Sequence, residues 1–166
     1  RDIFDFEIKA KKGEKKKQID PFTSDEIEKI KEVFKGNHYE AFVLFLLHTG
    51  CRPSEAIGIR WEDVEFDNDR IHFHQSLSRN QENPRERVRK ETKTGKNRFT
   101  PLSGELRAVL HNLKKNDSLV FLTPESEEIN DDTFRKSPWT PLLKRCNVRY
   151  RSPYNLRHTF ISHCLR

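Results

Sequence analysis

Apolar residues recur at helical spacing directly after a lysine-rich N-terminal stretch. Thr23 suits the N-cap of a helix, and Glu26 three residues later completes a capping box. Glycine tolerates the left-handed backbone that ends many helices, so we expect this helix to end at Gly36. Four residues supply its apolar face: Ile27, Ile30, Val33 and Phe34.

The next segment is too continuously apolar for a surface helix. Residues 41–47 are all apolar, which predicts a core helix over about residues 39–49. Gly50 follows at the position expected for a C-terminal cap, and Pro53 suits the first turn of a third helix. Arg52 therefore lies in a turn between two helix ends.

The middle of the chain changes from helical spacing to strand-like segments. Residues 71–75 alternate between apolar and polar side chains and predict a strand, and residues 87–92 and 98–102 predict two more. Gly95, within the segment 93–96, predicts a hairpin turn between the last two strands. Together these segments predict a small antiparallel three-stranded sheet.

Helical spacing returns in the last third of the chain. Residues 104–113 predict a helix, and residues 119–122 predict a short buried strand or an extended connection. Residues 131–146 predict a further helix, which Pro138 and Pro141 would kink or split. The whole pattern predicts an α+β fold, a mainly helical domain with one small sheet.

Charge is unevenly distributed along the 166 residues. The net charge is +6, but residues 79–98 carry eight Lys or Arg against three acids, and residues 135–166 carry eight against none. Solvation of the surface explains so long an acid-free stretch poorly, so the pattern favours a nucleic-acid partner. We interpret residues 1–20 as a basic linker and residues 21–166 as the folded domain.

Composition argues against several other classes of protein. The longest apolar run is seven residues, so neither membrane insertion nor export is indicated. The three cysteines include no CxxC pair, which predicts no disulfide framework or zinc site and fits the cytoplasm. His72 and His74 share one strand face, but no third ligand lies near them in sequence, so we predict an ordinary strand face and no metal.

Two arginines occupy positions that suit a phosphate. Arg52 lies between two helix ends, and Arg157 lies in the first turns of the last predicted helix, which starts after Pro153. A helix N-terminus binds anions, and two guanidinium groups can neutralise both non-bridging oxygens of a phosphodiester. The alternatives are a helix-capping arginine at position 52 and a surface arginine at position 157.

Three segments contain these arginines and a lysine-rich turn. They are Thr-Gly-Cys-Arg-Pro-Ser-Glu at 49–55, Thr-Lys-Thr-Gly-Lys-Asn-Arg at 92–98, and Tyr-Asn-Leu-Arg-His-Thr-Phe at 154–160. In this order and spacing they resemble the signatures of tyrosine recombinases, the phage integrase family. The resemblance covers residues 21–166 and implies an integrase-like catalytic core. The implied activity is site-specific DNA recombination, by strand cleavage and rejoining through a 3′-phosphotyrosyl intermediate.

The resemblance implies a role for each matching residue. Arg52 and Arg157 would clamp the scissile phosphate, and Lys93 would be the general acid that protonates the leaving 5′ oxygen. Lys96 is the alternative general acid, and either lysine could instead contact phosphate without chemistry. Glu55 resembles the acidic partner that orients an arginine.

The strand region and the resemblance also predict partners. We expect double-stranded DNA, self-association of protomers on it, a nucleoid-associated location, no cofactor and no small-molecule substrate. A solvated β ribbon is the alternative interpretation of the basic residues in this region. Six side chains are predicted to contact the DNA: Arg85, Arg87, Arg89, Lys90, Lys96 and Arg98.

Two features depart from the family pattern. Tyr154 stands where the family usually has a histidine, and a phenol with a pKa of about 10 is a poor base near neutral pH. The nucleophilic tyrosine of the family lies beyond the second arginine, whereas no tyrosine follows Arg157 here. We therefore expect the sequence to be truncated before the nucleophile and inactive alone. The alternative function is a non-catalytic DNA-binding relative.

Overall fold

A computed structural model describes residues 19–91, 95–113, 115 and 118–165. Lys93 and all but the last two residues of the predicted basic linker lie outside these ranges. In the described part of the chain, no helix is long and apolar enough to cross a membrane.

Three helices open the fold, as the sequence predicts. They are α1 (Ser24–Phe34), α2 (Glu40–Thr49) and α3 (Pro53–Gly58). The predicted capping box at the start of α1 is confirmed, because Thr23 Oγ1 accepts from the Glu26 N–H at 3.2 Å and the Glu26 carboxylate accepts from the Thr23 N–H at 2.9 Å. These local hydrogen bonds satisfy donors that a helix N-terminus otherwise leaves unpaired.

Among the described residues, five short strands follow and form two antiparallel sheets. One sheet has the strand order β1-β2-β5, and the other pairs β3 with β4. The predicted α+β class is therefore confirmed, with a second small sheet in addition to the three-stranded one. The strands are β1 (Val64–Glu65), β2 (Arg70–Phe73), β3 (Gln75–Arg79), β4 (Arg87–Glu91) and β5 (Arg98–Pro101).

Strand pairing differs from the predicted hairpin. β5 pairs with β2, with Phe73 opposite Arg98, whereas β4 pairs with β3, with Gln75 opposite Glu91. β4 and β5 thus pair with successive strands rather than with each other, and the single strand predicted at 71–75 is broken at residue 74. Pairing the two later strands together would set cationic segments side by side, whereas β2 and β3 offer them half-buried partners.

Four α-helices follow in the described residues after β5. The helix predicted over 131–146 is split, because Ser137 has an extended backbone and the Ser137-Pro138 peptide is cis. The two halves meet at a kink within Arg135–Trp139. Residues 119–122 form an extended connection with isolated bridges rather than a strand. The helices are α4 (Gly104–His111), α5 (Asp131–Phe134), α6 (Thr140–Arg145) and α7 (Asn155–Cys164).

Aromatic rings join the helices around one core. Phe42 packs edge-on against Phe134 and Phe121, with ring centroids 5.1 and 5.5 Å apart. Trp139 is fully buried and lies 5.9 Å from Phe34. Each fully buried side chain of this size contributes about 1.5–3 kcal/mol of transfer free energy, so α2 is firmly held at the centre.

Polar contacts join α7 to the segment before α1, and join the segment before α7 to Trp139. The Phe22 N–H donates to Thr159 Oγ1 at 2.9 Å, and Trp139 Nε1 donates to the Arg151 carbonyl oxygen at 2.8 Å. Both contacts are buried, where an unpaired polar group would be costly. They position the N-terminal half of α7 beside the turn at Gly50.

Candidate functional site

The turn at Gly50 brings the two predicted phosphate-binding arginines together. Gly50 ends α2 with a φ of +59°, and its N–H donates to the Leu46 carbonyl oxygen at 3.1 Å. Arg157, in α7, donates through Nη1 to the Gly50 carbonyl oxygen at 2.6 Å, across a separation of 107 residues. Arg52 follows two residues after Gly50, as the N-cap of α3. Arg52 therefore follows the Gly50 turn in the chain, and Arg157 contacts the same turn from α7.

Glu55 holds the backbone and side chain of Arg52. Glu55 is 1% exposed, and its Oε2 accepts from the Arg52 N–H at 2.8 Å. Arg52 Nη1 lies 3.5 Å from Glu55 Oε1, and the Arg52 side chain is 28% exposed. The arginine is thus oriented by a buried carboxylate while its guanidinium reaches the surface, as expected for an arginine that binds an anion.

Arg98 forms a bidentate ion pair with the same carboxylate. Its two terminal nitrogens donate to Glu55 Oε1 and Oε2 at 2.8 Å each, and its guanidinium lies 4.5 Å from the ring centroid of Phe73. Burial alone would raise the pKa of Glu55, but hydrogen bonds from Arg98 and the Arg52 N–H together hold that pKa below its usual value. The same pair raises the pKa of Arg98. Arg98 is therefore engaged with Glu55, and the DNA contact predicted for it stays a prediction.

Two grooves meet at Arg52. The tyrosine groove, of about 360 Å³, includes Arg52, Ser54, Arg135 and Tyr154 in its lining. The ribbon groove, of about 330 Å³, includes Arg52, Ser54 and Lys90. Because Arg52 and Ser54 line both, the candidate site consists of two adjacent grooves, one beside the ribbon of β3 and β4 and one beside the start of α7.

Tyr154 lies at the entrance to α7, next to the tyrosine groove. Its side chain is 40% exposed, and its ring packs edge-on against His158 with centroids 5.2 Å apart. Tyr154 is the N-cap residue of α7, three positions before Arg157. Tyr154 and Arg52 thus both line the tyrosine groove, where the phenol hydroxyl can reach a ligand bound there.

Two more arginines predicted to contact DNA are engaged with the protein itself. Arg87 is 9% exposed and donates to Asp131 at 2.8 Å. Arg89 donates to the Gly58 carbonyl oxygen at 2.8 Å, and its pKa is lowered by burial and by the charge of Arg60. Both side chains therefore join β4 to helices: Arg87 to α5 and Arg89 to α3.

The other predicted DNA contacts have exposed side chains. Arg85 precedes β4, Lys90 lines the ribbon groove, and Lys96 lies in the connection before β5. Lys93, the predicted general acid, lies outside the described residues. The structure therefore leaves Arg85, Lys90 and Lys96 on the surface of the described ribbon region.

Sequence reasoning missed an ionic bridge beside the ribbon groove. Arg79 donates to Asp131 at 3.0 Å and also to Asp132, while Asp132 accepts from Arg135 at 3.2 Å. Burial would raise the pKa of Asp131, but hydrogen bonds from Arg87 and Arg79 outweigh it and lower that pKa. The Arg79 pairs join residues 52 and 53 positions apart, and no local sequence signal marks them.

Comparison with known proteins places the chain in a family. The sequence model described as the phage integrase family matches residues 20–166. A tyrosine recombinase XerC-like protein of Caldanaerobacter subterraneus subsp. tengcongensis is 25% identical over 167 aligned positions. That alignment covers 86% of this chain and 42% of the relative, so the chain spans less than half the length of the curated relative it matches.

Solved structures share the fold at low sequence identity. The Tn1549 transposon integrase in complex with transposon right end DNA has a TM-score of 0.77 and 22% identity, covering 88% of this chain and 53% of that one. The lambda integrase tetramer bound to a Holliday junction has a TM-score of 0.62 and 14% identity, covering 86% of this chain and 41% of that one. With the family match over nearly all described residues, the chain belongs to the phage integrase family.

Proposed function

We propose that this chain is the catalytic core of a tyrosine-type, site-specific DNA recombinase. It would cut one strand, hold it as a 3′-phosphotyrosyl intermediate and rejoin it to a different 5′ hydroxyl, in integration or excision. The observation that carries the proposal is the convergence of Arg52 and Arg157 at the Gly50 turn. Both residues lie in segments that match the signatures of the family to which the chain belongs.

The two arginines are suited to clamp the scissile phosphate. A guanidinium carries five N–H donors, so Arg157 can keep its bond to Gly50 and still bind an anion. Arg52 presents its guanidinium where the two grooves meet. Together they would neutralise the non-bridging oxygens and stabilise the charge that develops in the pentavalent transition state.

Lys93 is the proposed general acid for the leaving 5′ oxygen. It belongs to the connection between β4 and β5, and β5 begins at Arg98, whose ion pair to Glu55 anchors the end of that connection beside Arg52. A lysine ammonium suits this task because neighbouring arginines lower its pKa and a bound phosphate raises it. Lys96, in the same connection, is the alternative.

Tyr154 replaces the usual histidine and is proposed to donate a hydrogen bond to a phosphate oxygen. Proton transfer then rests on the lysine, because a phenol is a poor base near neutral pH. The same replacement favours one other function, that of a non-catalytic DNA-binding relative which keeps the arginines but does not cleave.

Double-stranded DNA is the proposed partner, with several protomers assembled on it. The net charge of +6 and the exposed Arg85, Lys90 and Lys96 support backbone contacts. The DNA-bound Tn1549 integrase and the lambda integrase tetramer on a Holliday junction, which share the fold, support the partner and the assembly. Because the covalent link would conserve the bond energy, strand exchange of this kind needs neither ATP nor a metal.

Covalent trapping tests the proposal. Nicked duplexes that lose a short fragment after cleavage are prepared from DNA flanking the gene and incubated with the full-length product of the gene. A band that resists denaturation, with a tyrosine joined to a 3′ phosphate, would support the recombinase. Saturable duplex binding without such a band would support the DNA-binding relative. Absence of both binding and adduct would contradict both functions.

A further inference from the structure

Three metal-ligating side chains gather on one face of the β1-β2-β5 sheet. Asp63, His72 and His74 each offer one donor atom, and these three atoms lie within 4.8 Å of one another. His74 Nε2 lies 2.7 Å from Asp63 Oδ1. Sequence reasoning found only the two histidines, because the third donor comes from the turn before β1.

Strand register explains why the three residues share a face. In the β1–β2 pair, Val64 lies opposite Ile71, so the preceding residue, Asp63, falls at the position opposite His72. Directly opposite residues of an antiparallel pair point to the same side, with Cβ atoms about 4.5–5.5 Å apart. His74 is two residues after His72 and therefore also points to that side. Ile71 is fully buried on the other side.

The donors are already oriented by neighbouring groups. Asp63 Oδ2 accepts from the Arg60 N–H at 3.0 Å, which leaves Oδ1 directed at His74. The His72 ring stacks on Phe99 at 4.6 Å and on His74 at 4.5 Å. Hydrogen bonds and packing that fix ligand orientation in this way raise metal affinity.

Two nearby arginines, Arg70 and Arg60, are paired with acids of their own. Arg70, which lies 4.0 Å from the Phe99 ring centroid, donates to Glu65 at 2.6 Å. Arg60 Nη1 lies 3.5 Å from Glu62. These pairs reduce the repulsion that a divalent cation would meet at the cluster.

We propose that Asp63, His72 and His74 bind one Zn²⁺, with water in the fourth position. Zinc bonds of about 2.0–2.2 Å place tetrahedral ligand atoms about 3.4 Å apart. The three donor atoms lie within 4.8 Å of one another, and the 2.7 Å separation of His74 Nε2 and Asp63 Oδ1 would widen to admit the ion. Two imidazoles and one carboxylate suit zinc and similar transition metals, whereas Mg²⁺ and Ca²⁺ prefer oxygen ligands.

The site would lie apart from the turn that carries Arg52. Arg98 lies over the Phe73 ring, and Phe73 alternates with His72 and His74 along the strand, so the cluster is on the sheet face opposite the Glu55–Arg98 pair. A bound ion would tie the turn before β1 to β2. The inference therefore does not rest on the proposed recombinase function.

Zinc titration of metal-stripped protein tests the site. We expect calorimetry to show one ion per chain with a submicromolar Kd, and zinc at about 100 times that Kd to raise the Tm by about 5–10 °C. His72→Gln and His74→Gln should each weaken binding by about 100-fold. His163→Gln, which removes an exposed histidine beside Cys164, is the matched control and should bind as the wild type does.

Two further measurements make the outcome decisive. Melting curves in chelator show whether each variant folds, and the visible spectrum of the Co²⁺-loaded wild type should report a tetrahedral site without any variant. The site is refuted if the wild type binds no zinc saturably, if the His72 and His74 variants bind as tightly as the wild type, or if binding is lost in His163→Gln.

Discussion

Replacing Arg98 by methionine removes the bidentate partner of a buried carboxylate. The change deletes two 2.8 Å hydrogen bonds to Glu55, which is 1% exposed and cannot recover them from water. Removing one member of a buried ion pair costs about 3–5 kcal/mol. The loss should be smaller here, because the Arg98 side chain is 35% exposed and the Arg52 N–H still donates to Glu55. We therefore expect the free energy of unfolding to fall by about 2–3 kcal/mol and the Tm by about 5–10 °C.

The loss of unfolding free energy in Arg98→Met should depend on pH in a defined direction. The pKa of Glu55 is lowered in the folded state, despite the opposing effect of burial, by hydrogen bonds from Arg98 and the Arg52 N–H. A carboxylate of this kind stabilises the fold fully above its unfolded pKa of about 4.3, and this contribution is lost as the pH falls through the folded pKa. The difference in free energy of unfolding between wild type and Arg98→Met should therefore be constant near neutral pH and become smaller below about pH 4.

Urea unfolding followed by circular dichroism measures the effect. Glu55→Gln and the double variant Glu55→Gln/Arg98→Met complete a double-mutant cycle, and we expect a coupling free energy of at least about 1 kcal/mol between the two residues. A loss below about 0.5 kcal/mol for Arg98→Met, or additive effects in the cycle, would refute the reasoning, since both would mean that the pair is effectively solvated.

Three further predictions concern the same turn and the DNA surface. Gly50→Ala should cost about 2–4 kcal/mol in thermal or urea unfolding, because φ is +59° and an added Cβ would lie 2.1 Å from the Phe160 ring; unchanged stability would contradict this geometry. Burial raises the pKa of Cys51 to about 12, so a thiol reagent should modify the exposed Cys164 in folded protein and Cys51 only after unfolding. Modification of both cysteines at equal rates in folded protein would contradict the burial of Cys51. Duplex affinity measured by fluorescence anisotropy should fall steeply with salt, and Lys90→Ala should reduce the slope of log Kd against log salt by about 1; an unchanged slope would exclude that phosphate contact.

Local chemistry made the helix ends predictable from sequence. The Thr23 and Glu26 capping box, the left-handed Gly50 and Pro53 at the start of α3 all appear in the structure where the sequence predicts them. Each of these features depends on residues within one turn of the helix end. The break at Pro138 was predictable for the same reason, because proline lacks a backbone N–H.

Long-range partners were not predictable, because a charge pattern gives the sign of a residue without giving its neighbour. Arg98 was predicted to contact DNA, yet its partner Glu55 lies 43 residues earlier in the chain. The pairing of β4 with β3 and the approach of Asp63 to His74 likewise depend on how distant segments meet. The pairing of Arg157 with Arg52 was predicted from phosphate chemistry and family resemblance, whereas the contact of Arg157 with Gly50, 107 residues earlier, was not.

The central claim is that Arg52 and Arg157 act on the scissile phosphate, and covalent trapping of paired variants tests it most directly. Full-length protein, Arg52→Ala, Arg157→Ala and a control, Arg145→Ala at the exposed end of α6, are compared on the same nicked duplex. The account predicts an adduct whose formation slows by at least about 100-fold in the first two variants while duplex affinity falls by less than about tenfold. The control should form the adduct at the wild-type rate. Adduct formation at the wild-type rate by Arg52→Ala or Arg157→Ala would contradict the account.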